Sequence, residues 1–218
     1  MRAVIFANGK LGDVEKTRGL VKLDDTIIAA DGGARHCSAL GLKPSLLVGD
    51  FDSLTEAEVD DWQRRDVQLI RHDRRKDETD LELALLLAQG LDREEALVLG
   101  ALGGRWDQTF ANLLLPAYEK LSDLNVTFWH EGLWIYLVRD ERIIHGTAGQ
   151  TVSLLPVGGD AVGVTTKGLE WPLTGETLLL GATRGVSNVL LAEQASVRVE
   201  EGLLLCFVFT DDSDPMGV

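Results

Sequence analysis

The stretch TIIAADGGARHCSALGLKPSLLVGDFDS, residues 26–53, decides the fold. It opens on a β-rich apolar run, Thr26–Ala30, and closes on another, Leu46–Val48. Between them the spacing predicts a short helix, Ala34–Leu40, with Gly41 just past its end and Pro44 beyond. A strand, a helix and a second strand in this order form a crossover unit, which joins parallel neighbours. Both runs are apolar throughout, as expected of strands covered on both faces by helices. Each then runs directly into glycine and aspartate, Asp31-Gly32-Gly33 after the first and Gly49-Asp50-Phe51-Asp52-Ser53 after the second.

The same alternation fills the first 130 residues. Further strands are predicted at Ala3–Phe6, Val67–Arg71, Ala96–Leu99 and Val126–Trp129, with helices over Thr55–Arg65, Asp80–Gln89 and Phe110–Leu121. After about Gly132 the texture changes to LWIYLV, ERIIH, TVSLLPV, AVGVTT, ETLLLG, SVRVE and LLLCFVF, short runs separated by Gly, Asp and Thr. Regular short strands with turn signals indicate an antiparallel sandwich or barrel. The expected fold class is therefore α/β then all-β: a mostly parallel, Rossmann-like α/β domain at 1–145, followed by an antiparallel β-sandwich at 146–218. The boundary is expected in HGTAGQ, 145–150, and the acidic tail DDSDPMGV, 211–218, is expected to fray.

Composition narrows the setting. A chain of 218 residues holds one large domain or a medium and a small one, each with a proper core. No run reaches the roughly 18 to 20 apolar residues of a membrane span, and the start lacks the pattern of a signal peptide. Cys37 and Cys206 lie far apart in no ligand spacing, so the expectation is a reduced, cytoplasmic protein without disulfide or structural zinc. A balance of 21 basic to 35 acidic residues argues against nonspecific nucleic-acid binding. It is compatible with a polyphosphate if a divalent metal neutralises the charge between carboxylate and phosphate, and it favours a cationic second substrate. The plainer alternative is that acidity serves solubility.

The chemistry gathers where strands end. In an open parallel sheet, ligands bind outside the carboxyl ends of the strands, where loops converge and helix N-termini point outward. Four exits deliver Asp31-Gly32-Gly33, Gly49–Ser53, Lys76-Asp77-Glu78-Thr79-Asp80 and Gly103-Gly104-Arg105-Trp106-Asp107 to one edge. Asp50 and Asp52 alternate in an extended segment, so both carboxylates can face one site and share a hard cation such as magnesium. The competing explanation is local: Asp52 or Ser53 caps the next helix and Asp50 bonds a turn. Asp77 and Asp80 stand at a helix start and invite the same capping explanation. Lys76 and Arg105 are candidate phosphate contacts, against a solvated basic run for one and a surface ion pair for the other. The glycine pairs permit close backbone approach to a ligand but fit no Walker pattern. The four His show no ligand spacing, and nothing marks a covalent nucleophile. Carboxylates, metal and a phosphate cradle point to phosphoryl-type transfer.

With ADGG, GDFDS, KDETD and GGRWDQ in this order, continued by GLEWPLTGETLLLGATRGVSN, the chain resembles a thiamine pyrophosphokinase, also called thiamine diphosphokinase. The resemblance covers nearly the whole chain. It implies an α/β ATP-binding domain, a β-sandwich, a homodimer with active sites between subunits, and the reaction of ATP with thiamine to give thiamine diphosphate and AMP. It implies Asp50, Asp52 and Asp80 as Mg2+ ligands, with Asp31 and Asp77 nearby. Thr79, Gly103, Gly104 and Arg105 match the nucleotide-side motif, which Asp107 and Gln108 continue, and Trp171, Ser187 and Asn188 match the thiamine-side region. Trp171 can stack on a cationic ring, against the alternative of a core aromatic. Bacterial relatives commonly carry His where this chain has Gln108, which can hydrogen-bond but cannot carry charge. A carboxylate such as Asp80 or Asp77 is the candidate general base. The rival readings are a pyrophosphokinase for another alcohol, such as a hydroxymethylpterin, and a silent nucleotide-binding module.

Overall fold

The computed structural model describes residues 1–210, and the tail DDSDPMGV, expected to fray, lies outside the described residues. The chain divides into two compact units, one ending at His130 and one beginning at Glu131.

The first unit holds six strands, β1 (Arg2–Phe6), β2 (Thr26–Ala30), β3 (Leu46–Gly49), β4 (Gln68–Arg71), β5 (Glu95–Leu99) and β6 (Asn125–His130). All pair in parallel, in the order β4-β3-β2-β1-β5-β6. Val4, Ile5, Phe6, Ile28, Leu47, Val98 and Leu99 are almost fully buried, so apolar side chains from both pleat faces are covered. The helices are α1 (Val14–Gly19), α2 (Ala34–Ala39), α3 (Glu56–Arg64), α4 (Asp80–Gly90) and α5 (Trp106–Leu114). α4 packs against β1, β2 and β3, burying Leu81, Ala84, Leu85 and Ala88. α3 starts in a capping box in which Thr55 Oγ1 accepts from Glu58 N and Glu58 Oε2 accepts from Thr55 N.

Two expectations shift. α1 has no apolar stripe to announce it; it buries only Thr17 and is held by Asp13, whose carboxylate accepts from Lys16 N at 3.0 Å. The helix expected over Phe110–Leu121 starts at Trp106 and ends at Leu114, giving way to two 3-10 turns at Leu115–Ala117 and Glu119–Leu121. Pro116 accounts for the break, since it has no N–H to continue the ladder.

The second unit holds β7 (Leu133–Val138), β8 (Glu141–His145), β9 (Thr151–Lys167), β10 (Glu176–Leu178), β11 (Asn188–Val189), β12 (Gln194–Arg198) and β13 (Glu201–Phe209). All pair antiparallel, and the expected sandwich takes the form of two sheets sharing β9. The first half of β9 lies between β13 and β11, while its second half pairs with β12 and β10. The crossover falls at Gly158-Gly159, where Gly158 has φ +78°. There β13 is irregular at Gly202, and a Cβ on that residue would stand 2.4 Å from the Asp160 carbonyl oxygen. Val152, Leu154, Val164, Leu178, Val197, Leu204 and Cys206 form the core.

The unit boundary therefore lies at 130/131, not in the loop at 145–150. The reason is pairing: β7 bonds to β13 and β8 to β12, partners 49 or more residues later that belong to the second unit.

Candidate active site

The strand order reverses between β1 and β5, which run onward to opposite edges of the sheet. A crevice opens at the carboxyl ends of strands at such a switch point. Here a cleft of about 460 Å³ lies at that place, wholly within the first unit and lined from five strand exits and α5.

Asp31, Asp50 and Asp52 each bring a carboxylate oxygen within 4.8 Å of the others. Asp31 is 4% exposed, begins the turn after β2 with φ +46°, and has a buried Oδ1 with no hydrogen-bond partner. A buried carboxylate oxygen left unpaired is costly unless a cation or donor satisfies it. Asp50 Oδ1 accepts from Asp52 N at 2.9 Å, and Arg74 reaches Asp52 Oδ2 at 3.0 Å. Three converging carboxylates, one of them with a buried oxygen that has no partner, fit a hard divalent cation. Gly49 makes the convergence possible: its φ is +146°, and a Cβ there would lie 3.0 Å from Asp80 Oδ1 and 3.2 Å from Asp31 Cβ.

Asp80 stands beside the cluster at the first position of α4, with Lys76 Nζ 2.5 Å from its Oδ1. Burial pushes its carboxyl above the usual range, Lys76 opposes this, and the charges of Asp31 and Asp50 push it further up. Asp77 is exposed and does not line the cleft. The capping explanations fall away for Asp52, Ser53 and Asp77, because Thr55 caps α3 and Thr79 caps α4 by accepting from Glu82 N at 3.2 Å. The turn explanation for Asp50 is met, alongside its place in the cluster.

Gly103, Arg105 and Gln108 line the cleft from the start of α5, and Gly103 and Gly104 have φ of +81° and +79°. Arg105 forks onto Asp107, holding that exposed carboxyl below its usual range. Gly32 and Gly33 do not line the cleft. They seat the turn after β2 against β1, where a Cβ on Gly33 would meet the Phe6 carbonyl oxygen at 1.9 Å and one on Gly32 the Asn8 side chain at 2.2 Å. Sequence reasoning missed Asn8, Arg74 and Asn112. Asn8 Nδ2 donates to Ser53 Oγ at 3.0 Å, and Asn112 Nδ2 donates to the Ala101 carbonyl at 2.7 Å. Asn8-Gly9 follows β1 after Ala7, at a strand exit of the same kind as the other four.

In the second unit Trp171, Pro172, Arg184 and Val186 line a separate hollow of about 180 Å³, with Trp171 57% exposed. Ser187, at φ +62°, donates its N–H to Ser153 Oγ at 3.0 Å, and buried Asn188 bonds the Trp171 backbone.

Two family models match the chain: "Thiamin pyrophosphokinase, catalytic domain" over residues 17–128 and "Thiamin pyrophosphokinase, vitamin B1 binding domain" over residues 139–204. The chain belongs to the thiamin pyrophosphokinase family. Among the family's members, it is similar to the thiamine pyrophosphokinase of Bacillus subtilis, 26% identical over 95% of this chain and 98% of that protein. To thiamine pyrophosphokinase 2 of Arabidopsis thaliana it is 28% identical over 74% of this chain, a stretch spanning 64% of the plant protein. The thiamin pyrophosphokinase structure from Geobacillus thermodenitrificans superposes with a TM-score of 0.85 at 26% identity, covering 98% of this chain and 99% of that one. The first family model takes in the exits bearing Asp31, Asp50, Asp52 and Asp80, and the second takes in Trp171 and Asn188.

Proposed function

We infer that this chain is a thiamine diphosphokinase, transferring the pyrophosphate of ATP to the hydroxyl of thiamine and releasing AMP. The observation that carries the reading is the buried, unpartnered Oδ1 of Asp31 converging with Asp50 and Asp52 in the switch-point cleft, in a chain of this family. Asp50, Asp52 and Asp80, together with Asp31, would hold Mg2+ here. When bound, the ion neutralises charge on the phosphates and polarises the β-phosphoryl group. Lys76, Arg105, Thr79 and Gln108 line the same cleft and supply donors to phosphate and nucleotide. The thiamine oxygen forms a bond to the β-phosphorus as the bond from that phosphorus to the α–β bridging oxygen breaks. AMP departs with that oxygen, and the hydroxyl proton passes to a carboxylate of the cleft, for which Asp80 is the candidate. Trp171 stacks on the cationic acceptor.

A homodimer with active sites between subunits completes this reading. Its support is apolar surface: Trp106, Phe110 and Leu114 follow one another at helical spacing on α5, the first two 81% and 66% exposed, and Leu179, Leu180 and Leu191 are exposed in the second unit. A cytoplasmic setting accords with two buried, unpaired cysteines, and no helix among the described residues is long and apolar enough to cross a membrane. Incubation with ATP, Mg2+ and thiamine is expected to yield AMP and thiamine diphosphate in equal amounts. Absence of both, with turnover of a hydroxymethylpterin, overturns the acceptor. Sedimentation at micromolar concentration is expected to show a dimer that Trp106→Lys with Phe110→Lys splits; a wild-type monomer overturns the assembly.

A further inference from the structure

Past their last paired residues, β1 and β5 stay locked together at the floor of the cleft. Ala7 N donates to the Leu99 carbonyl at 2.8 Å and Gly9 N to the Gly100 carbonyl at 2.6 Å. There is no room for side chains between them: a Cβ on Gly9 would stand 2.5 Å from the Gly100 oxygen, and one on Gly100, at φ +68°, 2.7 Å from the Ala7 oxygen. The half-buried ring of His36, on α2, closes this junction from the side. Its Nε2 lies 2.8 Å from the Gly9 carbonyl oxygen, and its Cδ2 would be 3.3 Å from a Cβ on Gly100, so it touches both exits. A carbonyl only accepts, so Nε2 carries the hydrogen and donates.

The line of contacts continues into the acidic turn. Asn8, the neighbour of the held Gly9, is wedged against Gly32 and donates from Nδ2 to Ser53 Oγ at 3.0 Å. Ser53 directly follows Asp52. We propose that His36 is a positioning residue for nucleotide binding: by holding the Gly9 carbonyl it fixes the height of Asn8 and, through Ser53, the seat of the Asp50–Asp52 turn relative to the cleft floor. It touches no substrate itself, and it rests on the reading of this cleft as the ATP site.

The test is steady-state kinetics and binding of a fluorescent ATP analogue with Mg2+, on wild type, His36→Ala, His36→Gln, Asn8→Ala and the double variant His36→Ala/Asn8→Ala. His36→Ala is expected to raise the KM for ATP and weaken the analogue about tenfold, with kcat and the thiamine KM within about threefold of wild type. Gln, whose Nε2 can reach the same carbonyl, is expected to recover most of the loss. The double variant is expected to be no worse than the weaker single one, because both break one line of contacts. Unchanged ATP affinity in His36→Ala, equal loss in the Gln variant, or additive losses in the double variant overturn the proposal. Wild type that binds the analogue but spares thiamine sinks the acceptor alone and leaves the His36 comparison readable by binding; wild type that binds no nucleotide sinks both.

Discussion

Asn188 closes both ends of its amide on the backbone of Trp171, accepting from the Trp171 N–H at 3.0 Å and donating to the Trp171 carbonyl at 2.7 Å. The buried residue thus holds in place the backbone of an exposed indole. Its Oδ1 also accepts from Val189 N at 2.9 Å, so the oxygen is used by the chain while Nδ2 has a second hydrogen to offer.

This separation of roles gives the first prediction. Trp171→Ala should raise the thiamine KM tenfold or more, on the order of 1.5 kcal/mol of lost stacking, while leaving the melting temperature and ATP binding near wild type. Asn188→Ala should lower stability by about 2 kcal/mol, since it strands buried backbone groups. Urea unfolding and kinetics with each substrate varied separate the two. A Trp171→Ala enzyme with normal thiamine KM would remove the indole from the acceptor site.

The acidic cluster makes a second claim. Asp31→Asn and Asp52→Asn should each lower turnover by at least about 100-fold. Direct titration should show Mg2+ or Mn2+ binding weakened in both. Stability should change far less in both. Equal activity in Asp52→Asn would refute its assignment to the metal.

Glu58 carries a pH dependence whose sign can be worked out. Arg35 and the Thr55 cap hold its carboxyl down to about 2 from a reference value of 4.5. A depressed folded value stabilises the fold above the unfolded pKa, and that contribution fades as pH falls from about 4.5 towards 2. Melting curves across this window should fall more steeply for wild type than for Glu58→Gln. Parallel curves would mean that the pair contributes nothing.

Gly33 is the most demanding backbone position. Its missing Cβ faces the Phe6 carbonyl oxygen at 1.9 Å, so Gly33→Ala must push the turn after β2 off β1. A loss of more than about 2 kcal/mol is expected in denaturant unfolding. Gly19→Ala, at a helix end with nothing within 4 Å, should instead gain up to about 1 kcal/mol. Equal effects at the two positions would contradict this packing.

What the sequence showed plainly was whatever repeats. Six apolar runs, four of them with carboxylates at their exits, are legible because period and position are both local, and the strands at residues 26–30, 46–49 and 95–99 fall within one residue of where they were expected. What it hid depends on a single distant partner. TVSLLPV and AVGVTT read as two strands because Gly158-Gly159-Asp160 looks like a turn; in the fold the same glycines let one strand pass from sheet to sheet. LWIYLV could be assigned to its unit only through β13, nearly 70 residues later. Asp31 joins Asp50 and Asp52 because β2 and β3 are neighbours, a fact of pairing and not of motif. Gly32 and Gly33 looked like a phosphate cradle, yet their small size serves the Asn8 and Phe6 contacts.

The shared strand β9 has a mechanical meaning. Since β10, β11, β12 and β13 all bond to it, neither sheet of the second unit can shed that strand without unzipping the other. Fraying one strand at a time is open to β8, β10 and β11, each of which has a single partner, whereas an opening that releases β9 disturbs both sheets together. Amides on β12 and β13 should accordingly exchange with deuterium through one common opening, and a protease that cuts at the Gly158-Gly159 step would dismantle both sheets in a single event.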